Sequence, residues 1–171
     1  MMTVPKPPGY RITSMQAEDW PAVEEIYRQG IATGNATFET ETPAWSNWNA
    51  KHHPHSRLVA RDEQGVLAWA ALSPISARRV YAGVAEVSLY VAQAAQGQGI
   101  GKALLAALIE HSEENGIWTL QAGIFPENIA SIAIHKSCGF REVGQREKIG
   151  NLGATWRNVL LLERRSQKVG K

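Results

Sequence analysis

Val84-Ala85-Glu86-Val87-Ser88-Leu89-Tyr90-Val91, followed by Gln96-Gly97-Gln98-Gly99-Ile100-Gly101, is the stretch that decides how this chain folds. The first run has the alternation of a strand, with Glu86, Ser88 and Tyr90 on one face and Val87, Leu89 and Val91 on the other. The second is a glycine turn opening a long helix over 100–114, with Leu104, Leu105, Leu108 and Ile109 inward and Asn115-Gly116 as its stop. A further strand over 118–124 and a helix over 128–137 follow, closing on Gly139-Phe140. A glycine turn entering a helix offers backbone N–H groups and the positive end of the helix dipole to an anion. The strand before it carries a carboxylate. Together they point to an enzyme that handles a phosphate-bearing cofactor.

Upstream, residues 10–15 read as a short strand, and Asp19 with Pro21 opens a helix. Trp20, Val23, Ile26, Tyr27 and Ile31 recur along it at helical spacing. Residues 37–43 read as loop, a short helix bears Trp45 and Trp48, and 57–61 with 66–72 form a hairpin. Downstream, 140–148 and 155–163 form an antiparallel pair across a turn near 150–153. The order predicts one α/β (α+β) domain over 10–163, a central mixed sheet flanked by helices. Residues 1–9 read as a flexible lead and 164–171 as a solvated basic tail.

The composition suits this. At 171 residues, 44% hydrophobic and 20% charged, the chain can bury a sizeable core without a metal or disulfide staple. The net charge of +2 is small, and four of the Lys/Arg residues lie in the tail 164–171. Lys and Arg do not cluster with aromatics, so no nucleic-acid partner is expected. The single Cys138 has no disulfide partner within the chain and reads as a structural thiol at a helix end. No apolar run reaches membrane-spanning length, and the N-terminus lacks the apolar core of a signal peptide. The expectation is a cytoplasmic protein with no membrane partner. His52-His53-Pro54-His55 is crowded and interrupted by proline, with no carboxylate or cysteine at ligand spacing. It reads as a surface loop, and no metal is expected.

Two familiar phosphate motifs fail on spacing. A dinucleotide fingerprint starting at Gly97 needs glycine where Lys102 stands. A P-loop ending at Gly101-Lys102 needs glycine at Gln96 and Ser or Thr at Ala103. What remains is Gln-x-x-Gly-x-Gly entering a helix: either a pyrophosphate cradle or a β–α turn without a ligand.

That loop resembles the acetyl-CoA signature of the GNAT superfamily of N-acetyltransferases. Other segments are similar to its phosphinothricin acetyltransferases: Ile26-Tyr27, Ala36-Thr37-Phe38-Glu39, Pro43, Arg78 with Tyr81, Glu86 to Val91, and Asn128-x-Ala130-Ser131-x-x-x-His135-x-x-x-Gly139-Phe140. The resemblance covers residues 10–163 and implies a GNAT-type, largely antiparallel twisted sheet. It also implies acetyl-CoA as donor, a small amino-acid-like amine as acceptor (phosphinothricin, methionine sulfoximine or sulfone), and a homodimer. The chain departs from the subfamily at Val84-Ala85, where a threonine is usual, and at Trp156-Arg157-Asn158, where tryptophan–aspartate is expected.

Acetyl transfer to an amine requires a neutral amine, a polarised thioester carbonyl and a stabilised thiolate. Glu86 is the candidate base, acting directly or through water. The resemblance gives Gln96, Gly97, Gln98, Gly99, Ile100, Gly101 and Lys102 to the phosphates. It gives the backbone of Leu89, Tyr90 and Val91 to the pantetheine arm, with Asn128 and Ser131 beside it. Asn128 is equally an N-cap. His135 shares a helix face with Asn128 and Ile132, and either protonates the departing thiolate or orders the site. Phe38, Arg78 and Tyr81, with Glu86, Val87 and Ser88, are the candidate acceptor contacts, an arginine being suited to gripping an anionic group. Two other readings stand beside this one: acetylation of another amine (an aminoglycoside, a polyamine or a protein N-terminus), and CoA binding without catalysis.

Overall fold

In a computed structural model, residues 9–171 are described, so all but Gly9 of the expected lead lies outside the described residues. The elements are β1 (Arg11–Ser14), α1 (Trp20–Ala32), α2 (Trp45–Lys51), β2 (Leu58–Arg61), β3 (Val66–Pro74), β4 (Val84–Val91), α3 (Ile100–Glu114), β5 (Thr119–Ile124), α4 (Ile129–Ser137), β6 (Arg141–Leu152) and β7 (Thr155–Arg165). Seven strands form one sheet in the order β1-β2-β3-β4-β5-β7-β6. Every neighbouring pair is antiparallel except β4 with β5. The mixed, largely antiparallel α/β architecture is the one expected.

Strand alternation sorts the core into two layers. Leu58, Ala60, Ala68, Ala70 and Leu72 face one side, where they meet Leu104, Leu105 and Leu108 of α3. Val59, Trp69 and Ala71 face the other, where they meet Val23 and Ile26 of α1 and Trp48 of α2. The second layer is aromatic: Trp69 stacks on Tyr90 at 4.8 Å between ring centres, and Trp48 meets Trp69 edge-on at 5.6 Å. Small residues set the close approaches. A Cβ at Gly30 of α1 would stand 2.6 Å from the Tyr90 ring, so glycine there lets the helix rest on β4.

Two segments differ from expectation. β6 continues through the predicted turn to Leu152, because Gly150, Asn151 and Leu152 pair with Arg157, Trp156 and Thr155. The reversal falls at Gly153, whose φ of +63° suits glycine. The residues expected as a solvated tail are tied down instead. β7 runs to Arg165, and Arg164 Nη1 and Ser166 Oγ each lie 2.9 Å from Oε1 of the buried Glu113. Lys168 Nζ lies 3.2 Å from Glu113 Oε2. A buried carboxylate needs such partners, and the basic terminus supplies them.

Candidate active site

The parallel pairing of β4 with β5 is short. Val84, Ala85 and Glu86 align with Thr119, Leu120 and Gln121, and there it stops. Beyond Glu86, residues 87–91 keep β3 on one side, while Ala122–Ile124 keep β7 on the far side. The sheet therefore forks at Glu86. Among the described residues no strand covers the inner edge of either arm, so backbone N–H and C=O groups line the opening. An extended ligand can pair with such an edge as an added strand does.

A cavity of about 770 Å³ fills the fork, within the usual size range for a small-molecule site. Its walls bring together most of the predicted side chains: Phe38, Glu86, Val87, Ser88, Leu89, Tyr90, Asn128, Ser131 and His135. Glu86 is half-buried at the apex, where Gln121 Nε2 donates to its Oε2 at 2.9 Å. Gln121 had no motif to mark it, since only the parallel register places it beside Glu86.

At the open end of the fork lies the glycine turn. Gly97 and Gly99 have φ of +75° and +78°, and a Cβ at either would meet open space. Their role is conformational, and the absence of side chains keeps the backbone approachable. Among the described residues no side chain caps the N-terminus of α3, which leaves its first N–H groups for an anion. A Cβ at Gly101 would sit 3.1 Å from Ile134 and 3.3 Å from Val91, so this turn packs between β4 and α4. Gln96, Gln98 and Lys102 are exposed around it, and Ile100 is buried beneath it.

On α4, Asn128 Oδ1 accepts from the Ser131 N–H at 3.2 Å, and its Nδ2 donates to the Asn35 carbonyl at 3.2 Å. The cap is therefore formed, and the amide also bridges to the loop after α1. His135 is buried, with the Phe140 ring edge-on at 5.0 Å. Its Nδ1 lies 2.8 Å from the Ser131 carbonyl oxygen, so Nδ1 carries the proton and donates it. Nε2 is then a buried lone pair with no partner among the described residues. Burial holds the His135 pKa below the ordinary histidine value, opposed only in part by the Ser131 carbonyl.

Arg78 and Tyr81 are placed elsewhere. Both are exposed on the β3–β4 connection, the guanidinium lying over the Tyr81 ring at 5.4 Å, and neither lines the cavity. The connection closes with a short helical turn at Arg79–Tyr81 that carries them off the fork. The cations on the cavity wall are Lys51, at the end of α2, and Arg146, on β6. Spacing could not reveal Arg146, because it comes from the far edge of the sheet.

The histidine loop is half-buried rather than freely solvated. His52 stacks on Trp48 at 4.1 Å, and His53 stacks on His55 at 4.8 Å. Burial comes first in lowering the pKa of all three, as it does for His135. Each takes up a proton near pH 6.5 when unfolded and only at lower pH when folded. Their contribution to stability is therefore complete above about pH 6.5 and is lost as pH falls below it. Tm measured in low-phosphate buffer should hold between pH 7 and 8 and decline steadily from pH 6.5 to 5. A flat Tm over that acidic range contradicts this reading.

Comparison with known proteins agrees with this geometry. The model of the acetyltransferase (GNAT) family matches residues 12–140. The chain is 32% identical over 155 residues to a phosphinothricin N-acetyltransferase of Streptomyces coelicolor, covering 86% of this chain and 91% of that one. It is 31% identical over 153 residues to an L-methionine sulfoximine/L-methionine sulfone acetyltransferase of Pseudomonas aeruginosa, covering 85% and 88%. The crystal structure of a phosphinothricin acetyltransferase from Sinorhizobium meliloti in complex with AcCoA superposes with a TM-score of 0.81 at 29% identity, covering 92% and 88%. The forked sheet and the glycine turn at its mouth are thus those of the GNAT acetyltransferase family, to which this chain belongs as an acyl-transferring enzyme.

Proposed function

We propose that the protein moves the acetyl group of acetyl-CoA onto the amino group of a small amino-acid-like acceptor of the phosphinothricin, methionine sulfoximine or methionine sulfone type, with Glu86 as general base. The observation that carries this reading is the position of Glu86, half-buried at the apex of a fork whose open end bears an uncapped glycine turn.

The residues present suit acetyl-CoA. The inner edge of β4 at Leu89 to Val91 offers backbone partners to a pantetheine arm, and the turn at Gly97 and Gly99 offers N–H groups to a pyrophosphate. Bound there, acetyl-CoA would supply an activated acetyl thioester. An amino-acid amine arrives as an ammonium without a lone pair. Glu86 takes up its proton, directly or through water. Gln121 occupies Oε2 and fixes the rotation of the carboxylate, leaving Oε1 for the acceptor. Backbone N–H groups of the free β4 edge are donors for a carbonyl oxygen gaining charge.

His135 fits an ordering role better than an acidic one. With Nδ1–H committed to Ser131, its Nε2 can only accept a hydrogen bond, and its lowered pKa keeps it neutral near pH 7. Protonation of the thiolate then falls to solvent or to the proton held by Glu86.

Arg146 and Lys51 replace Arg78 as the readers of the acceptor's anionic groups, since they line the wall that Arg78 does not reach. Replacing Arg146 by Gln should raise the KM for amino-acid acceptors about 10-fold, the value of a charge-assisted hydrogen bond, with little change in the KM for acetyl-CoA. An unchanged acceptor KM removes Arg146 from this role.

The reading as a whole is tested by thiol release from acetyl-CoA with phosphinothricin, methionine sulfoximine, methionine sulfone, spermidine and an aminoglycoside as acceptors. Turnover with the first three supports it. Turnover only with the cationic amines overturns the acceptor class.

A further inference from the structure

Twelve residues after α1, numbers 33–44, form no helix or strand, yet they carry one wall of the cavity through Ala36, Thr37, Phe38, Glu39 and Pro43. Such a loop holds a fixed shape only if its ends are anchored, because ordering each residue costs conformational entropy. At the far end, Thr42 Oγ1 donates to Glu24 Oε1 at 2.8 Å. At the near end two distant side chains serve: Asn128 on the Asn35 carbonyl, and a second, more than a hundred residues away, that makes most of the bonds.

That second side chain is Arg157 of β7. Its Nη1 donates to the Gly34 carbonyl at 2.7 Å, and its Nη2 donates to Asn35 Oδ1 at 2.7 Å and to Glu127 Oε2 at 3.2 Å. Its side chain is 14% exposed, and the guanidinium lies over the Phe125 ring at 4.0 Å. Phe125 in turn meets Phe38 edge-on at 4.9 Å. The other acceptor at Asn35, its carbonyl, is taken by Asn128, the residue that caps α4. One planar cation thus joins three elements: the loop bearing Phe38, the turn before α4, and the strand beside β5. A guanidinium can donate in several directions in one plane while stacking on a ring, which an ammonium cannot.

We propose that Arg157 is a positioning residue for acceptor binding: it fixes the 33–44 loop, and through Phe125 the ring of Phe38, against the fork. The proposal rests on the reading of that wall as the acceptor side. Arg157 touches neither the reacting atoms nor Glu86, so its effect is on where the acceptor sits.

The test compares wild type, Arg157→Met, Arg157→Lys and Asn35→Ala, all assayed well below the Tm of the least stable. Backbone hydrogen exchange over residues 33–44 is followed in the free protein, and KM for acetyl-CoA and for whichever amine turns over best is measured separately. Arg157→Met keeps an apolar stem on Phe125 and removes the donors. It should speed exchange in the loop and raise the acceptor KM by on the order of tenfold, the effect of losing charge-assisted hydrogen bonds. The KM for acetyl-CoA should stay within about twofold, well under the effect of one such bond. Arg157→Lys should behave as Arg157→Met does, and Asn35→Ala should reproduce part of the effect. Unchanged exchange over 33–44 overturns the anchor, and equal rises in both KM values overturn the positioning role. The exchange readout needs no acceptor. If only cationic amines turn over, the acceptor class falls, while the anchor is still judged by exchange and by the KM of those amines.

Discussion

A Glu86→Gln enzyme should fold normally and lose about 10²- to 10⁴-fold in kcat/KM at neutral pH, the range expected for removal of a general base. Glutamine is nearly isosteric and can keep a hydrogen bond to Gln121, so the fork should stay intact. The amide cannot accept the ammonium proton. The defect should shrink as pH rises, because the acceptor amine then deprotonates in solution and needs no base. The variant's rate should therefore climb with pH more steeply than that of the wild type. Full kcat/KM across the pH range would remove Glu86 as the base. A loss that is the same at every pH would instead assign it a binding role.

Trp69→Ala should be among the most damaging changes to stability, costing about 3–5 kcal/mol as for other buried Trp truncations. Trp69 is 1% exposed and touches Tyr27, Trp48 and Tyr90 through its ring. Tyr90 lies on β4 along the fork, and burial raises its pKa well above the usual tyrosine value, so its hydroxyl stays protonated. Removing the indole leaves a cavity that this packed cluster cannot refill from neighbouring strands. For a chain of this size the loss corresponds to a fall in Tm of roughly 10 °C. Thermal unfolding followed by near-ultraviolet circular dichroism measures it directly. A fall of only a degree or two would mean that the aromatic layer repacks.

Much of this arrangement could be read from local pattern. Alternation along 84–91 and the glycine turn before residue 100 both lie within single elements, and both stand where the periodicity put them. The same holds for the helix bearing Asn128 and His135, because its cap and its apolar face are local properties. What could not be read depends on register between distant segments. Gln121 meets Glu86 only because β4 and β5 run parallel for three pairs and then part. Arg146 reaches the cavity from the edge strand β6, and Arg157 reaches its wall from β7, both far along the chain from Glu86. Arg78 illustrates the converse: its type suits an anion, yet a short helical turn carries it away from the cavity. The basic terminus is likewise held by a distant partner, Glu113, some fifty residues earlier on α3.

The central claim is acetyl transfer from acetyl-CoA to the amine of a small amino acid. The most direct test incubates the protein with acetyl-CoA and methionine sulfone or phosphinothricin, and locates any added acetyl group by fragment mass spectrometry while free thiol is counted. The account predicts one acetyl group on the α-nitrogen for each thiol released. Thiol release without an acetylated amine, or acetylation of cationic amines alone, would contradict it.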